Sequence, residues 1–519
     1  MIFLTIIILL LGAFATWYVR NRPARIGWTI STATALLVWL LSLALITIIP
    51  DVYDVSVWRP EALFLSQIEL KLDSISWPLV YAATTLLLVI VLTHPARYKM
   101  KTRRQALLLI YSASPIVSML SGNILTFAMT WMLMDIVSIV VMLDLFDREN
   151  RISALIPRLS IDGASLIMIL LAAMLNISAG GDSALAGSFV SSGSVLFLAL
   201  AAMLRLGFFQ FQFGAVSYPA ERHGIEILQK LLPAGAAFAL LARVFDNGVP
   251  ENIVPWLSLA GGLTLLIGGV QWVFGRDESR VQQAFKMAIS GLGIFVASLS
   301  PGDASVITAV GVLLILIGGV FYSIEIFSPP HRVWPILYAI IIVGCPWTPG
   351  GVVLANMLVS ITGLQSIIRV GLGVVGMVLL GLGTLRYFYL PSVRWLTAES
   401  SVRFMYGVGL SFPVVVLIGL GLRMFDEVSL IGFIGFLVIC GLAVVLTLAI
   451  RKLPIRDVDR WGRLLAWIDM GPIVRIFAIM GRGITRVARG VSDVLEGEGA
   501  MLWLVVILLL TYLGVRGIA

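Results

Sequence analysis

Apolar runs long enough to cross a lipid bilayer recur along almost the whole chain, and short polar or charged stretches separate them. An α-helix rises about 1.5 Å per residue, so about 20 apolar residues cross a hydrocarbon core of about 30 Å. Sixteen segments are candidates by this criterion, from residues 2–19 to residues 500–517. The pattern predicts an all-α, polytopic membrane protein with about 14–16 transmembrane helices.

The composition agrees with this pattern, since 59% of the residues are hydrophobic, only 12% are charged and the mean hydropathy is +1.02. The two cysteines, Cys345 and Cys440, lie far apart in apolar surroundings, so no disulfide framework is predicted. The net charge of +8 is explained by the distribution of charge between loops. We therefore expect the lipid bilayer, and no nucleic acid, as a partner of the chain.

Basic and acidic residues occupy alternate loops between the candidate spans. One set of loops carries Arg20, Arg22, Arg25, Arg97, Lys99, Lys101, Arg103, Arg104, Arg148, Arg151, Arg158, Arg276, Arg280, Arg394 and Arg403. The other set carries Asp51, Asp54, Glu61, Asp182, Asp246, Glu251, Asp303, Asp426 and Glu427, with only Arg59, Lys71, Arg243, Arg369 and Arg423 on or near it. Because basic loops stay cytoplasmic, we expect a multi-pass protein of the cell inner (cytoplasmic) membrane with both termini on the outer side.

Two of the candidate spans are interrupted. The span at 193–214 carries Arg205 in its apolar run and then passes into glycine, glutamine and proline, with Gln210, Gln212 and Pro219 as broken-helix candidates. The span at 334–360 is interrupted by Gly344–Gly351, with Pro346 and Pro349 as candidates. Interrupted helices are tolerated at membrane depth only where protein or a cavity covers the loose backbone, and a buried charge there marks an ion or substrate path.

Each interruption falls in the fourth member of a group of five spans, so the two groups enter the membrane from opposite sides. Such paired broken helices are typical of inverted-repeat transporters, although Gly and Pro are also commoner in membrane helices generally. We divide the chain into N-terminal helices (1–104), a first five-helix repeat (105–246), a second, inverted repeat (253–389), a C-terminal pair (403–450), a cytoplasmic-side lateral segment (454–497) and a final span (500–517).

The lateral segment is amphipathic, with an apolar face from Ile473 to Val494 and basic residues on the remaining surface. It is expected to lie along the membrane surface or against neighbouring proteins.

Four motifs, in this order, resemble those of the proton-translocating, antiporter-like membrane subunits shared by respiratory complex I, membrane-bound hydrogenases and Mrp-type sodium/proton antiporters. Asn123–Trp131 resembles the N-L-L-L-x-x-x-x-W-E stretch, and Arg205–Phe213 resembles the K-S-A-Q-x-P-F-H-T-W break. Asp277–Gly293 resembles D-x-K-R-x-L-A-Y-S-T-I-S-Q-L-G, and Gly344–Gly351 resembles G-L-P-P-x-A-G-F. The similarity covers roughly residues 70–390.

The resemblance implies a carboxylate paired with a lysine halfway through the bilayer, but both positions are altered here. The family's glutamate falls on Met132, and Asp135 follows three residues later on a shared helical face. The family's lysine falls on Arg205, which holds a carboxylate well but does not release its proton near neutral pH. An Asp135–Arg205 pair is predicted, either as a functional gate or as a static buried pair that fixes helix packing.

Other titratable positions of the family are altered as well. The histidine of the eighth helix falls on Gln229, with Lys230 beside it as either a relay group or a snorkelling side chain. The lysine of the eleventh helix falls near Gly311 or Val312, and the lysine or glutamate after the second interruption falls near Leu354. None of these residues ionises. Lys286 is expected at the interface, with a core-facing relay as the alternative. The ion-path candidates are Asp135, Arg205, Gln229, Lys230 and Lys286.

No cluster has metal-ligand spacing, no glycine-rich phosphate loop is present and no nucleophile lies beside a plausible base, so we predict no catalytic residues, no metal and no cofactor. The resemblance implies a subunit of a complex I-like (NADH-quinone oxidoreductase or Mrp-related) energy-converting assembly, non-catalytic by itself. Its partners would be other membrane subunits, and protons or sodium its ions. Two alternatives are a proton-coupled subunit of an inorganic-carbon uptake system and a non-conducting scaffold subunit.

The topology is testable by labelling with a membrane-impermeant thiol reagent. In a chain whose Cys345 and Cys440 are replaced by Ala, Lys101→Cys should react only from the cytoplasmic side, because its loop is basic. Labelling from outside would overturn the assignment of sides.

Overall fold

The structure is a computed structural model, and it describes most of the chain up to residue 452. The described residues are 2–55, 67–97, 101–145, 148–181, 185, 191–208, 223–275, 278–300, 302–323, 329–361, 364–389, 399–424 and 430–452. The broken-helix candidates Gln210, Gln212 and Pro219 lie outside this set, as do the lateral segment at 454–497 and the final span at 500–517.

The described part of the chain contains sixteen α-helices and one β-hairpin. The elements of the first half are α1 (Ile2–Tyr18), α2 (Ala24–Ala44), β1 (Asp51–Val55), β2 (Ile68–Leu72), α3 (Ser76–Arg97), α4 (Thr102–Met119), α5 (Ile124–Leu145), α6 (Arg148–Ser178), α7 (Ser192–Leu206) and α8 (His223–Asp246). Those of the second half are α9 (Val254–Phe274), α10 (Glu278–Leu299), α11 (Ala304–Ser323), α12 (Val333–Ile342), α13 (Pro349–Val359), α14 (Leu364–Leu385), α15 (Ser400–Met424) and α16 (Leu430–Lys452).

The predicted fold class is confirmed. Within the described ranges, ten helices are long and apolar enough to cross a membrane, and α1, α7, α12 and α13 are shorter apolar helices. Each span predicted before residue 450 overlaps one helix, except that 334–360 is divided between α12 and α13. The part of the predicted span 193–214 after residue 208 lies outside the described residues. The chain is therefore an all-α, multi-pass membrane protein. The division into repeats stays a prediction.

The hairpin was not predicted from the sequence. β1 and β2 pair antiparallel from Asp51 opposite Leu72 to Val55 opposite Ile68. The other edge of β2 bonds to the connection between α4 and α5, where the backbone N–H of Lys71 donates to the Leu120 carbonyl at 2.7 Å and that of Gly122 donates to Glu69 at 2.9 Å. These bonds satisfy backbone groups that a bare edge strand would leave exposed.

Burial divides the helices into a centre and a periphery. Helices α3, α8 and α11 are buried almost throughout, whereas α16 exposes most of its residues. Large apolar side chains, such as Leu133, Ile136 and Leu437, cover the outer surface of the bundle. This arrangement suits a bundle surrounded by lipid or by neighbouring membrane proteins, because in that environment apolar surface carries no solvation cost.

Helices α9 and α10 approach each other closely because glycines line their contact. A Cβ atom at Gly291 would lie 2.4 Å from the backbone nitrogen of Leu265, and one at Gly268 would lie 2.6 Å from that of Ala288. Small residues at such contacts let helix backbones come together in a membrane, where dispersion contacts drive association.

We expect Gly291→Ala to destabilise the protein by about 1–3 kcal/mol, because the added methyl group meets backbone that has no rotamer to yield. The matched control is Gly441→Ala on α16, where no atom lies within 4 Å of the added Cβ. Thermal unfolding of the purified proteins in detergent measures both. Equal midpoints for the two variants would contradict the tight contact.

Candidate functional site

Helix α7 ends one residue after Arg205, at Leu206. It has 15 residues, about 22 Å of helix, and it stops at Gly207, whose φ of +78° is a left-handed conformation that favours glycine. The Gly207 N–H donates to the Leu204 carbonyl at 3.2 Å, and the Phe208 N–H donates to the Met203 carbonyl at 3.1 Å. The positive charge of Arg205 therefore lies in the last turn, where the helix dipole favours it.

The Arg205 guanidinium is almost completely buried, with 1% of the side chain exposed. Its two terminal nitrogens donate to the two carboxylate oxygens of Asp135 on α5, at 2.9 and 2.6 Å. Its Nε donates to the Ser165 hydroxyl at 2.9 Å, and its central carbon lies 4.2 Å from the centre of the Trp131 ring. The structure thus forms the predicted pair and supports it with a hydroxyl group and an aromatic face, which a buried cation requires.

Helix α6 contributes a second carboxylate that the sequence analysis missed. Asp162 lies 3.9 Å from Arg205 Nη1 and 3.4 Å from Arg158 Nε, and Arg158 in turn donates to the backbone carbonyl of Gln229 at 3.2 Å. The loop position predicted for Arg158 is wrong, because Arg158 lies within α6. The i, i+4, i+7 spacing of Arg158, Asp162 and Ser165 was the sequence signal that could have identified this polar face.

The charged groups in contact with or next to Arg205 form a polar cluster. Lys286 and Lys230 add two more helices to it. Lys286 on α10 donates from Nζ to the backbone carbonyl of Arg205 at 2.9 Å, and so binds the C-terminal end of α7. The expected interfacial position of Lys286 is therefore wrong, and the core-facing alternative describes its contact. Lys230 pairs with Glu226 one turn earlier on α8 at 2.5 Å, and its Nζ lies 5.1 Å from the centre of the Tyr322 ring. Gln229 takes part through its backbone carbonyl.

Met132, on which the family's carboxylate position falls, lies outside the cluster. Its side chain is 51% exposed on the outer surface of the bundle, whereas the Asp135 side chain is only 14% exposed. Three residues along a helix are a rotation of about 300°, so the two positions differ by about 60° around α5. The two positions share one broad face of α5, but this rotation turns Met132 to the outer surface and Asp135 towards Arg205.

The polar groups lie at successive depths along their helices. Measured from the predicted outer ends at 1.5 Å per residue, Asp135 lies about 17 Å deep, Lys286 about 20 Å and Asp162 about 24 Å. Arg158 and Glu226 lie about 30 Å deep, next to the side on which the basic loops occur. The cluster therefore extends from the predicted cytoplasmic ends of the helices to about half their length, where the Asp135–Arg205 pair ends it.

The corresponding region of the second helix group, the predicted second repeat at 253–389, is apolar. Between α12 and α13, the interruption at 343–348 includes Pro346, and Pro349 begins α13. A Cβ at Gly350 would lie 1.9 Å from the Ile341 carbonyl oxygen, so the close turn requires glycine. Leu354 is buried, and α11 is buried and apolar around Gly311. Within the described residues, this interruption contains no charged side chain.

A second buried ion pair lies at the predicted outer ends of the helices. The Asp73 carboxylate caps α3 by accepting from the backbone N–H groups of Ile75 and Ser76, at 3.1 and 2.9 Å. Arg243 on α8 donates to its other oxygen at 2.8 Å, and Lys71 Nζ lies 3.7 Å away. Burial alone would raise the pKa of Asp73, but the positive charge of Arg243 and the hydrogen bonds outweigh it and lower the pKa. Arg243 and Lys71, which both lie near Asp73, are two of the cations that the sequence places on or near the acidic side.

Asp73→Asn should destabilise the protein by about 1–3 kcal/mol at neutral pH, because it leaves Arg243 buried without its anion. The folded pKa lies below the ordinary 3.8, so the stabilisation is fully present above that value and is lost as the pH falls through the folded pKa. The difference in unfolding midpoint between wild type and variant should therefore narrow progressively as the pH is lowered below about 5. The exposed Glu251→Gln is the control, and a difference that is independent of pH would contradict the assignment.

The fold is similar to those of membrane subunits in several solved complexes. A chain of the Mrp complex from Dietzia sp. DQ12-45-1b matches at a TM-score of 0.68 and 15% identity, over 100% of this chain and 63% of that one. This chain thus spans less than two thirds of that Mrp chain. A chain of the membrane-bound sulfane sulfur reductase, an archaeal respiratory membrane complex, matches at 0.65 and 14%, over 98% and 99% of the two chains.

A chain of respiratory complex I from Thermus thermophilus with bound NADH matches at a TM-score of 0.62 and 16% identity, over 85% of this chain and 100% of that one. No protein-family model and no curated protein sequence matches the chain. At such low identity the likeness concerns the fold. The chain therefore has the fold of the antiporter-like membrane subunits found in Mrp and complex I assemblies.

Proposed function

We propose that this chain is an antiporter-like membrane subunit of a complex I-like, Mrp-related energy-converting assembly, and that its first helix group contributes to the translocation of protons or sodium ions. The observation that carries the proposal is the Arg205 guanidinium at the end of α7, held by Asp135 about halfway along α5. The shared fold with subunits of several membrane complexes supports partners of the same kind. An inner-membrane location and a partner-binding lateral segment are parts of the proposal.

The cost of burying these groups supports a functional role. A buried ion pair is weak evidence for stability, because desolvation of both charges offsets their attraction. Ionisable side chains inside membranes are rare and usually line ion or substrate paths. Here Asp135, Arg205, Asp162 and Arg158 follow one another through direct contacts across α5, α6 and α7. Fixing the packing of these helices would need one ion pair and not a series of charged groups in contact.

Arginine in place of lysine changes how such a path works. Arg205 keeps its charge. Protons are therefore bound and released in this cluster by the carboxylates or by a lysine. In our proposal, protonation of Asp135 breaks the bidentate pair, and the guanidinium turns about its bond to Ser165 towards Asp162, 3.9 Å away. Arg205 is then a charge that moves between two carboxylates, and Lys286 holds the end of α7 in place.

A non-conducting scaffold is the second candidate, and the second helix group favours it. Leu354 and the residues around Gly311 are buried and apolar where the family resemblance expects titratable groups. A path that ends at the middle of the membrane would not conduct by itself. In a scaffold, the Asp135–Arg205 pair would fix the packing of α5 against α7 and take no part in transport.

The double variant Asp135→Asn with Arg205→Gln separates the two candidates. Each single change strands a buried group and should cost about 3–5 kcal/mol, whereas the double change removes both charges and should recover much of that loss. The assembly that contains the double variant should form normally but lose most of its coupled ion transport in reconstituted vesicles. Separate dyes for pH and for sodium identify the ion.

The matched control is Asp73→Asn with Arg243→Gln, a second buried aspartate–arginine pair on the outer side. It should match the double variant in assembly and stability and keep wild-type transport. Unaltered transport in the well-assembled Asp135–Arg205 double variant would contradict conduction and support the scaffold.

A further inference from the structure

A cavity of about 330 Å³ lies at the predicted outer ends of four helices, α3, α8, α11 and α15. The residues that line it include three charged groups, one indole and apolar side chains at its base: Asp246, Asp303, Arg423, Trp77, Leu420 and Met424. It is separate from the cluster around Arg205, which lies about 17–30 Å deeper along the helices. Nothing in the proposed transport path requires this cavity.

Arg423 is positioned for recognition of an anion. Its guanidinium carbon lies 4.7 Å from the centre of the Trp77 ring, and that ring is fixed because the indole N–H donates to the Ser42 carbonyl at 2.9 Å. Stacking on an aromatic face leaves the N–H edge of a guanidinium free to donate. Within the described part of the chain, Arg423 makes no ion pair or hydrogen bond. Its fork of donors is therefore available to a phosphate.

The two carboxylates in the same cavity are available to a cation. At the start of α11, one carboxylate oxygen of Asp303 accepts from the Ser305 N–H at 2.9 Å. The other oxygen is available to a cation. Asp246 has no bond to any described residue. Neither carboxylate pairs with Arg423, although all three groups line one cavity. Opposite charges that are held apart around an open space fit a ligand that carries both signs.

The outer face of α15 indicates the source of that ligand. Val415, Ile418 and Leu422 form an exposed apolar stripe that runs along the helix to the position of Arg423. In a membrane, this stripe lies against acyl chains, and Trp77 occupies the interfacial level at which tryptophan is common. A lipid whose chains follow the stripe brings its headgroup to the cavity.

We propose that this cavity binds the headgroup of a zwitterionic phospholipid with a primary ammonium group, phosphatidylethanolamine. Its phosphate receives the N–H donors of Arg423, and its ammonium group donates to Asp246 and Asp303. A choline headgroup has no N–H to donate, and a glycerol headgroup has no positive charge. The cavity therefore discriminates among headgroups by chemistry as well as by size.

Native mass spectrometry of the purified full chain, with ethanolamine, choline and glycerol phospholipids of identical acyl chains, tests the proposal. The ethanolamine lipid should bind most tightly, and Arg423→Gln should weaken it at least about tenfold, or about 1.4 kcal/mol. Asp246→Asn with Asp303→Asn should remove the preference for ethanolamine over glycerol while keeping a side chain that caps α11. The matched control is Arg20→Gln, since Arg20 also stacks on an indole, that of Trp17, but does not line the cavity.

Equal binding of the three lipids, or equal effects of Arg423→Gln and Arg20→Gln, would overturn the proposal. Displacement of the lipid by soluble phosphoethanolamine at micromolar concentration would assign the site to a soluble zwitterion and overturn the proposal that a lipid occupies it. Cross-linking of the cavity to a co-purified subunit, with no lipid bound, would assign it to a protein. If Arg423→Gln does not fold, Arg423→Lys, which keeps the charge but loses the fork, should weaken binding by a smaller factor.

Discussion

The cost of burying one guanidinium among apolar helices organises the first half of this protein. Arg205 lies in the last turn of α7, and its buried charge is compensated by an anion, a hydroxyl group and an aromatic face from other helices. Asp135, Ser165 and Trp131 supply them from α5 and α6. The packing of these helices and the arrangement of the site therefore depend on the solvation of one side chain.

Lys286 extends this dependence to the second helix group. The free carbonyl groups at the end of an interrupted helix need donors that lipid does not supply. Lys286 on α10 provides one to the Arg205 carbonyl, and α10 is in turn fastened to α9 through Gly268 and Gly291. The interruption between α12 and α13 needs no such ion, because its turn is closed by backbone contacts around Gly350. The ends of α7 and α12 are thus stabilised in different ways.

Charge is distributed unevenly between the two sides of the membrane as well as between the helix groups. The deep cluster extends from the predicted cytoplasmic edge, where Arg158 and Glu226 lie, and ends at Asp135. On the outer side, Asp73 and Arg243 fasten the start of α3 to the end of α8. The apolar stretch of α8 between Lys230 and Arg243 separates the two regions. Any ion that passes through the first helix group meets this barrier after the Asp135–Arg205 pair.

The sequence by itself determined the membrane class and the approximate positions of ten spanning helices, because the length and composition of an apolar run depend only on local residues. It also indicated the Asp135–Arg205 pair, since a buried charge requires a partner. Only the tertiary structure showed that Asp162 shares this cation, that Lys286 faces the core and that Met132 faces outwards. Those outcomes depend on the rotation of each helix about its axis, which neighbouring helices decide and which an almost uniformly apolar sequence does not encode.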